Sequence, residues 1–402
     1  MTDTTTRTVA TDLVNRDQLI ARAREVRPVL QKNAAETDSL RRLPEEVVRA
    51  IRDSGLCRLM VPKRFGGYQT SVRTYIEVMV ELGQGCGSTA WVASLINVCA
   101  WLAALFPERA QKDVWGPNPD AWIAGSLAPN GIALPVEGGW RVSGRWPWAS
   151  GSMHAQWVAC GIHMENEKGE MTNLGLSLIP IDEVTVEDTW FMVGMKGTGS
   201  NTIIAKDAFV PEHRFLPYPP AFEGRYRTEH VDEPVYRVAL VPVTVLILAG
   251  SQIGAARAAL DYVVSKSKTR GITHTTFPSQ ADSSGFQMLV ADAAMKIDTA
   301  FLHACRAADD LDRAADAARH PDLTERARVR MDTSLAAKYA RDAVELLVQA
   351  HGTSSLADHN PLQRLWRDVH VASHHAITEW QVNLEVYGRA LLGVEPNITH
   401  LI

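Results

Sequence analysis

Two histidines stand side by side at 374 and 375 in the run WRDVHVASHHA. Imidazole is the side chain that gains and loses a proton near neutral pH. A second stretch, RWPWASGSMHAQWVACG at 145–161, sets Trp146, Trp148 and Trp157 among Ser150, Ser152 and another histidine. Flat rings beside small hydroxyl groups suit a flat ligand that is stacked and hydrogen-bonded, and they equally suit a packed β core. Further on, the run GTGS at 197–200 spaces Thr198 and Ser200 two apart, able to bond a ligand edge or a phosphate or to build a turn. Its glycines do not form a dinucleotide fingerprint between a strand and a helix. Arg270, in SKTRGITHTTF, offers a planar fork matched to phosphate, although a cation also suits a solvated helix end.

Other chemistries find little support. The five cysteines (Cys57, Cys86, Cys99, Cys160, Cys305) include no close pair, so neither a disulfide framework nor a metal site is expected. With a net charge of -5 and basic residues spread along the chain, nucleic acid is not an expected partner. The N-terminus lacks the apolar segment of a signal peptide, and the longest apolar run, VALVPVTVLILAG at 238–250, contains Pro242 and is shorter than the roughly 20 residues of a membrane span. A cytoplasmic protein without membrane contact is expected, its first dozen residues frayed.

The elements that position these residues fall into three blocks. Residues 1–120 read as a helical domain: Pro44 opens a helix with Glu45 and Glu46 in its first turn and Gly55 past its end, and helices follow at about 72–82 and 88–106. Residues 121–233 read as an antiparallel β domain, with period-2 stretches punctuated by Gly, Asn, Asp and Pro. Residues 234–402 read as a four-helix bundle with helices near 236–268, 283–319, 323–351 and 361–392.

Helical domain, β domain and bundle in that order make the α+β layout of the acyl-CoA dehydrogenase fold. VPKRFGG at 61–67 and GMKGTGSNTIIAKDAFVPEHR at 194–214 resemble that family's loop after the second helix and the end of its β domain. GSTAWVASL at 87–95, WPWASG at 146–151, WRDVHVASHHA at 366–376 and YGRALLG at 387–393 look like its branch of flavin-dependent monooxygenases. That branch includes the oxygenase component of p-hydroxyphenylacetate hydroxylase.

The resemblance implies the oxygenase half of a two-component system. Such a protein takes FADH2 or FMNH2 from a separate NAD(P)H:flavin reductase, forms a C4a-hydroperoxide with O2, and hydroxylates an aromatic or polycyclic substrate. It implies Ser150 near flavin N5, Trp148 on the ring, and Ser126, Thr198, Ser200 and Arg270 as further flavin contacts, Arg270 reaching a neighbouring subunit's cofactor. His375, with His374 as the alternative, takes the acid–base role. Trp91, Cys99 and Ser126 border the substrate; Cys99 stands where phenol-hydroxylating relatives offer a histidine, which favours a larger or less acidic substrate. Packing remains the other reading of the tryptophans, and a self-satisfied interface histidine that of His375. A homotetramer is expected through small apolar faces in ARAALDYVV and AAKYARDAVELLVQAHG. A carboxylate base for acyl-CoA dehydrogenation is missing at the usual positions, with Glu379 about one turn away. N-oxygenation of an amine or amino sugar, acyl-CoA dehydrogenation and a catalytically silent scaffold remain the alternatives.

Overall fold

A computed structural model of the chain describes residues 14–166 and 168–402. The N-terminal dozen expected to be frayed lies outside the described residues. Helix α1 (Arg16–Leu40) starts on a capping box, in which Asn15 accepts from the Gln18 amide and the Gln18 side chain returns the bond. Helix α2 (Glu45–Ser54) has the signals read from sequence: Pro44 before it, two glutamates in its first turn and Gly55 left-handed at φ 73° after it. Helix α3 (Val72–Gly85) is capped by Ser71, and α4 (Gly87–Ala104) is buried at every residue except Leu95. A short α5 (Glu108–Trp115), not anticipated from the pattern, closes this helical block.

Seven strands then form one sheet: β1 (Ile123–Val136), β2 (Gly139–Ala149), β3 (Trp157–Glu165), β4 (Met171–Pro180), β5 (Val184–Glu187), β6 (Asn201–Pro211) and β7 (Phe215–Pro217). Their order is β5-β6-β2-β1-β3-β4-β7. The expected antiparallel sheet is in fact mixed, because β1 pairs with β3 in parallel. The cause is the crossover after β2. Trp148 (φ 64°) and Gly151 (φ 75°) turn the chain in left-handed conformations, and residues 150–156 carry it to the far side of β1. One face of the sheet buries Val142, Trp146, Val158, Ile162, Ile203 and Val210.

After β7 come a short α6 (Tyr218–Phe222) and a loop, not strand, up to 239; Arg227 N–H donates to the Leu105 carbonyl there and Trp101 Nε1–H to that of Val235. Helices α7 (Leu240–Leu246), α8 (Ala249–Ser267), α9 (Ser284–Asp316), α10 (Leu323–His351), α11 (Pro361–Ser373) and α12 (Trp380–Leu392) complete the chain. The fourth helix expected at 361–392 is therefore two helices, broken by a 3-10 turn at Ala376–Thr378. The faces expected to pack between subunits are used within the chain: Ala256, Ala259, Val263, Ala336, Ala340 and Val344 are all buried. Two helical stretches, Gly87–Ala104 and Leu240–Ser267, are apolar and long enough to cross a membrane by composition, contrary to the length argument above, but 94% and 78% of their apolar windows are buried within this chain.

Candidate active site

Strand β2 ends where the crossover begins, and that ending sets Ser150 beneath α4. Trp91, on the first turns of α4, donates its indole N–H to Ser150 Oγ at 3.2 Å. Ser150 Oγ lies 2.7 Å from Ser200 Oγ, which lies 2.7 Å from Thr198 Oγ1. Thr198 in turn donates to the Met195 carbonyl at 2.8 Å. The backbone ties the same two segments together, with the Gly151 N–H on the Thr198 carbonyl at 3.0 Å. Four residues singled out from sequence thus form one buried hydrogen-bonded row.

The loop holding Thr198 and Ser200 is clamped from three sides. Met195 (φ 51°) and Gly199 (φ 50°) bend it left-handed. A Cβ on Gly194 would come 2.2 Å from the Arg367 carbonyl, and one on Gly197 would come 2.2 Å from Thr37, so only glycine fits against α11 and α1. Asp368, on α11, accepts the Met195 N–H at 2.6 Å. Its complete burial pushes its pKa up to about 6, with Asp38 adding to the rise while the Met195 N–H, Arg364 and Arg367 oppose it. Asp368 was not among the candidate site residues read from sequence; a buried acid on a helix facing a glycine-rich loop has no sequence signature of its own.

The break between α11 and α12 delivers His375 to Trp91 as well, with ring centroids 6.1 Å apart and planes at 52°. His375 is open to solvent at its surface, yet protein crowds it enough that lost hydration lowers its pKa below the ordinary imidazole value. Its Nδ1 accepts the Ile377 N–H at 3.4 Å, which assigns the proton of the neutral ring to Nε2. His374 caps α11 and bonds its own helix, Nδ1 to the His370 carbonyl at 2.7 Å. The two imidazoles are separated by this helix ending and not by the 100° step of a continuous helix.

The three tryptophans have three fates. Trp146 is fully buried and donates to the Gly161 carbonyl at 2.6 Å. Trp157 lies under the Arg214 guanidinium, 4.9 Å from its ring centroid. Trp148, two residues before Ser150, is 72% exposed. Cys99 and Ser126 stand apart from the row. Cys99 is buried against β1, its Sγ 3.1 Å from where a Gly125 Cβ would sit, and burial pushes its thiol up to about 12. Ser126 is half-buried at the irregularity of β1.

Arg270 lines a separate cavity of about 310 Å³ with Tyr262, Lys266, His351, His359 and Asn360. Arg270 Nη1 is 3.2 Å from His351 Nε2, while the buried His351 Nδ1 has no partner. Burial and the charges of Arg270 and Lys266 hold the His351 pKa down. No carboxylate lines the cavity, so its donors suit a phosphate-bearing ligand. Asn360 caps the start of α11 and His374 its end, so the helix, about 20 Å long, separates this cavity from the turn that carries His375. Its residues are scattered between 262 and 360, which is why only Arg270 was recognisable in the sequence. No cluster of metal-ligating side chains occurs among the described residues.

A helical block, a sheet and a helical bundle in this order are the architecture of acyl-CoA dehydrogenases. The N-terminal domain family of those enzymes matches residues 16–118, and a C-terminal domain family matches 246–380. The chain is 33% identical over 375 residues to the flavin-dependent monooxygenase oxygenase subunit HsaA of Mycobacterium tuberculosis, covering 92% of this chain and 94% of that protein. It is 34% identical over 389 residues to the oxygenase component of an FADH2-dependent resorcinol hydroxylase of Rhizobium sp., covering 94% and 95%. The structure of XiaF from Streptomyces sp. in complex with FADH2 and glycerol superposes with a TM-score of 0.91 at 37% identity, covering 96% of this chain and 97% of that one. The chain belongs to the flavin-dependent monooxygenases of the acyl-CoA dehydrogenase fold. It is an oxygenase component that uses reduced flavin and O2, served by a separate reductase.

Proposed function

We propose that the chain hydroxylates an aromatic or polycyclic ring at the site framed by Trp148, Ser150, Trp91 and His375. The observation that carries this reading is the convergence of Ser150 and His375 on Trp91. The exposed Trp148 offers a face for the flavin ring, Ser150 and the row behind it a hydrogen-bonding edge, and the Arg270 cavity a place for the phosphate of a neighbouring subunit's flavin. Reduced flavin supplies the activation of O2. The protein's part is to hold the ring, limit water and manage one proton. His375 does the last: its free Nε2–H meets an oxygen of the substrate or of the activated oxygen species, and its lowered pKa keeps the ring neutral between turnovers.

HsaA, the resorcinol hydroxylase and an indole-3-acetate monooxygenase of Pseudomonas putida set the range of relatives. Cys99 and Ser126 would border a substrate larger or less acidic than a simple phenol, since a buried thiol is a poor donor. We assign the chain to the cytoplasm, in keeping with its five free thiols, as a homotetramer. The test is turnover with chemically reduced FMN or FAD, O2 and a panel of phenols, indoles and polycyclic aromatics. A product gaining one oxygen is expected. Bleaching of bound oxidised flavin by an acyl-CoA, with no oxygenated product, would overturn the reading.

A further inference from the structure

We propose that Leu95 is the wall that selects the substrate: an oxygen-bearing aromatic ring sits at Trp91 and His375, and a second, apolar ring fused to it lies along Leu95. The proposal rests on the reading that hydroxylation takes place where Ser150 and His375 meet Trp91. Helix α4 has 18 residues, and Leu95 alone among them is not buried. The other faces of the helix are covered. Val92 and Ile96 lie under the turn at Gly151, where an added Cβ would come within 3.0 Å of Val92 and 3.6 Å of Ile96. The Ser94 carbonyl accepts the Tyr75 hydroxyl of α3 at 3.2 Å. Asn97 donates to the Leu56 carbonyl at 2.9 Å and accepts the Met60 N–H at 3.3 Å.

Leu95 falls four residues after Trp91 and four before Cys99, so the three share one face of α4. Side chains on a helix lean towards its N-terminus, which carries the Leu95 side chain over the turn that holds Trp91. Cys99 is buried against Gly125 of β1 and closes the far end. What stays open on α4 is therefore a strip from Trp91 to Leu95, with Cys99 as its floor.

The two ends of the strip differ in chemistry. At Trp91 the indole N–H meets Ser150, and the His375 ring lies 6.1 Å away by centroids. At Leu95 the strip offers only hydrocarbon, packed against the main core. One helical turn rises about 5.4 Å, close to the span of one aromatic ring, so a single ring fills the polar end and a fused second ring reaches Leu95. The substrate class is a phenol fused to at least one further ring, and contact with Leu95 is what separates it from a monocyclic phenol.

Anaerobic equilibrium dialysis of the intact protein, with dithionite-reduced FAD present, gives the dissociation constants of phenol and 2-naphthol, which differ by one fused ring. Wild type should bind the naphthol at least about tenfold more tightly, the return expected from burying a few more ring carbons. Leu95→Asn keeps the size of the side chain and removes its apolar surface, so the naphthol should weaken about tenfold and phenol by less than about threefold. Leu95→Met keeps the apolar wall and should keep the wild-type ratio. Circular dichroism melting of both variants separates lost folding from lost selection. Equal binding of the two probes by wild type, or an unchanged ratio in folded Leu95→Asn, overturns Leu95 as the selecting wall. The placement of the site is read separately from His375→Ala, in which both probes should weaken. Constants unchanged in that variant would overturn the reading on which the proposal rests.

Discussion

His375 and His374 differ in what their rings already do. His374 spends Nδ1 on its own helix, whereas His375 sits against Trp91 with Nε2 free, which is why we propose the acid–base role for His375. His375→Ala should slow product formation by about 10²–10⁴-fold while O2 consumption continues with release of hydrogen peroxide, because oxygen capture does not need the imidazole. His374→Ala should change the rate by less than about fivefold, well short of that range. Desolvation lowers the pKa of His375, so its neutral form persists to lower pH than that of a free imidazole, and the acid limb of the product-forming rate should fall below the ordinary value of 6.5. An acid limb at or above that value, or failure of the His374 variant alone, would move the role off His375. The resemblance put His375 ahead of His374, but the physical reason for that order was hidden in the sequence, since nothing in HHA announces that α11 ends there.

At the scale of elements, α11 holds the loop of Thr198 and Ser200 through Asp368. Its folded pKa of about 6 lies above the unfolded aspartate value of 3.8. Asp368 therefore contributes its stability below the unfolded value, and that contribution is lost as pH rises through about 6. In Asp368→Asn the amide oxygen can still accept the Met195 N–H but carries no charge. Wild type should lose about 1–3 kcal/mol relative to this variant between pH 4 and pH 7, read from denaturant midpoints at each pH. A constant difference would show that the carboxyl is not desolvated. Some elements were plain in sequence because local chemistry sets them: the Pro44 and Gly55 boundaries of α2 and the Ser71 side of α3 are end signals. The break at 374–379 was hidden because no Gly or Pro marks it and α12 resumes the apolar pattern at once. The parallel pairing of β1 with β3 depends on the route of a crossover, which alternation of side chains does not encode.

For the whole molecule, most of the large apolar side chains left exposed on the bundle helices lie on α9 and α12, with Val264 on α8 beside them. Met288, Met295 and Leu302 recur every seven residues on α9, with 67%, 64% and 67% of their surfaces exposed. That spacing is the seam of helices packed side by side, and Leu384 and Leu391 repeat it on α12. A second copy of this chain is the occupant we assign to this surface, because the proposed homotetramer would need a self-complementary face and the small residues of α8 and α10 are buried within the chain. Wild type should elute with a scattering mass near four times its 44.2 kDa chain, and Met295→Glu with Leu302→Glu should lower that mass, since burying two unpaired carboxylates costs several kcal/mol. The Arg270 cavity opens at the start of α11, with His375 just past the end of that helix, about 20 Å on, and is proposed to reach a neighbour's cofactor, so the same double variant should also bind reduced flavin less tightly with every site residue intact. A lowered mass with unchanged flavin affinity would place the whole flavin site within one chain. An unchanged mass would remove α9 from the interface.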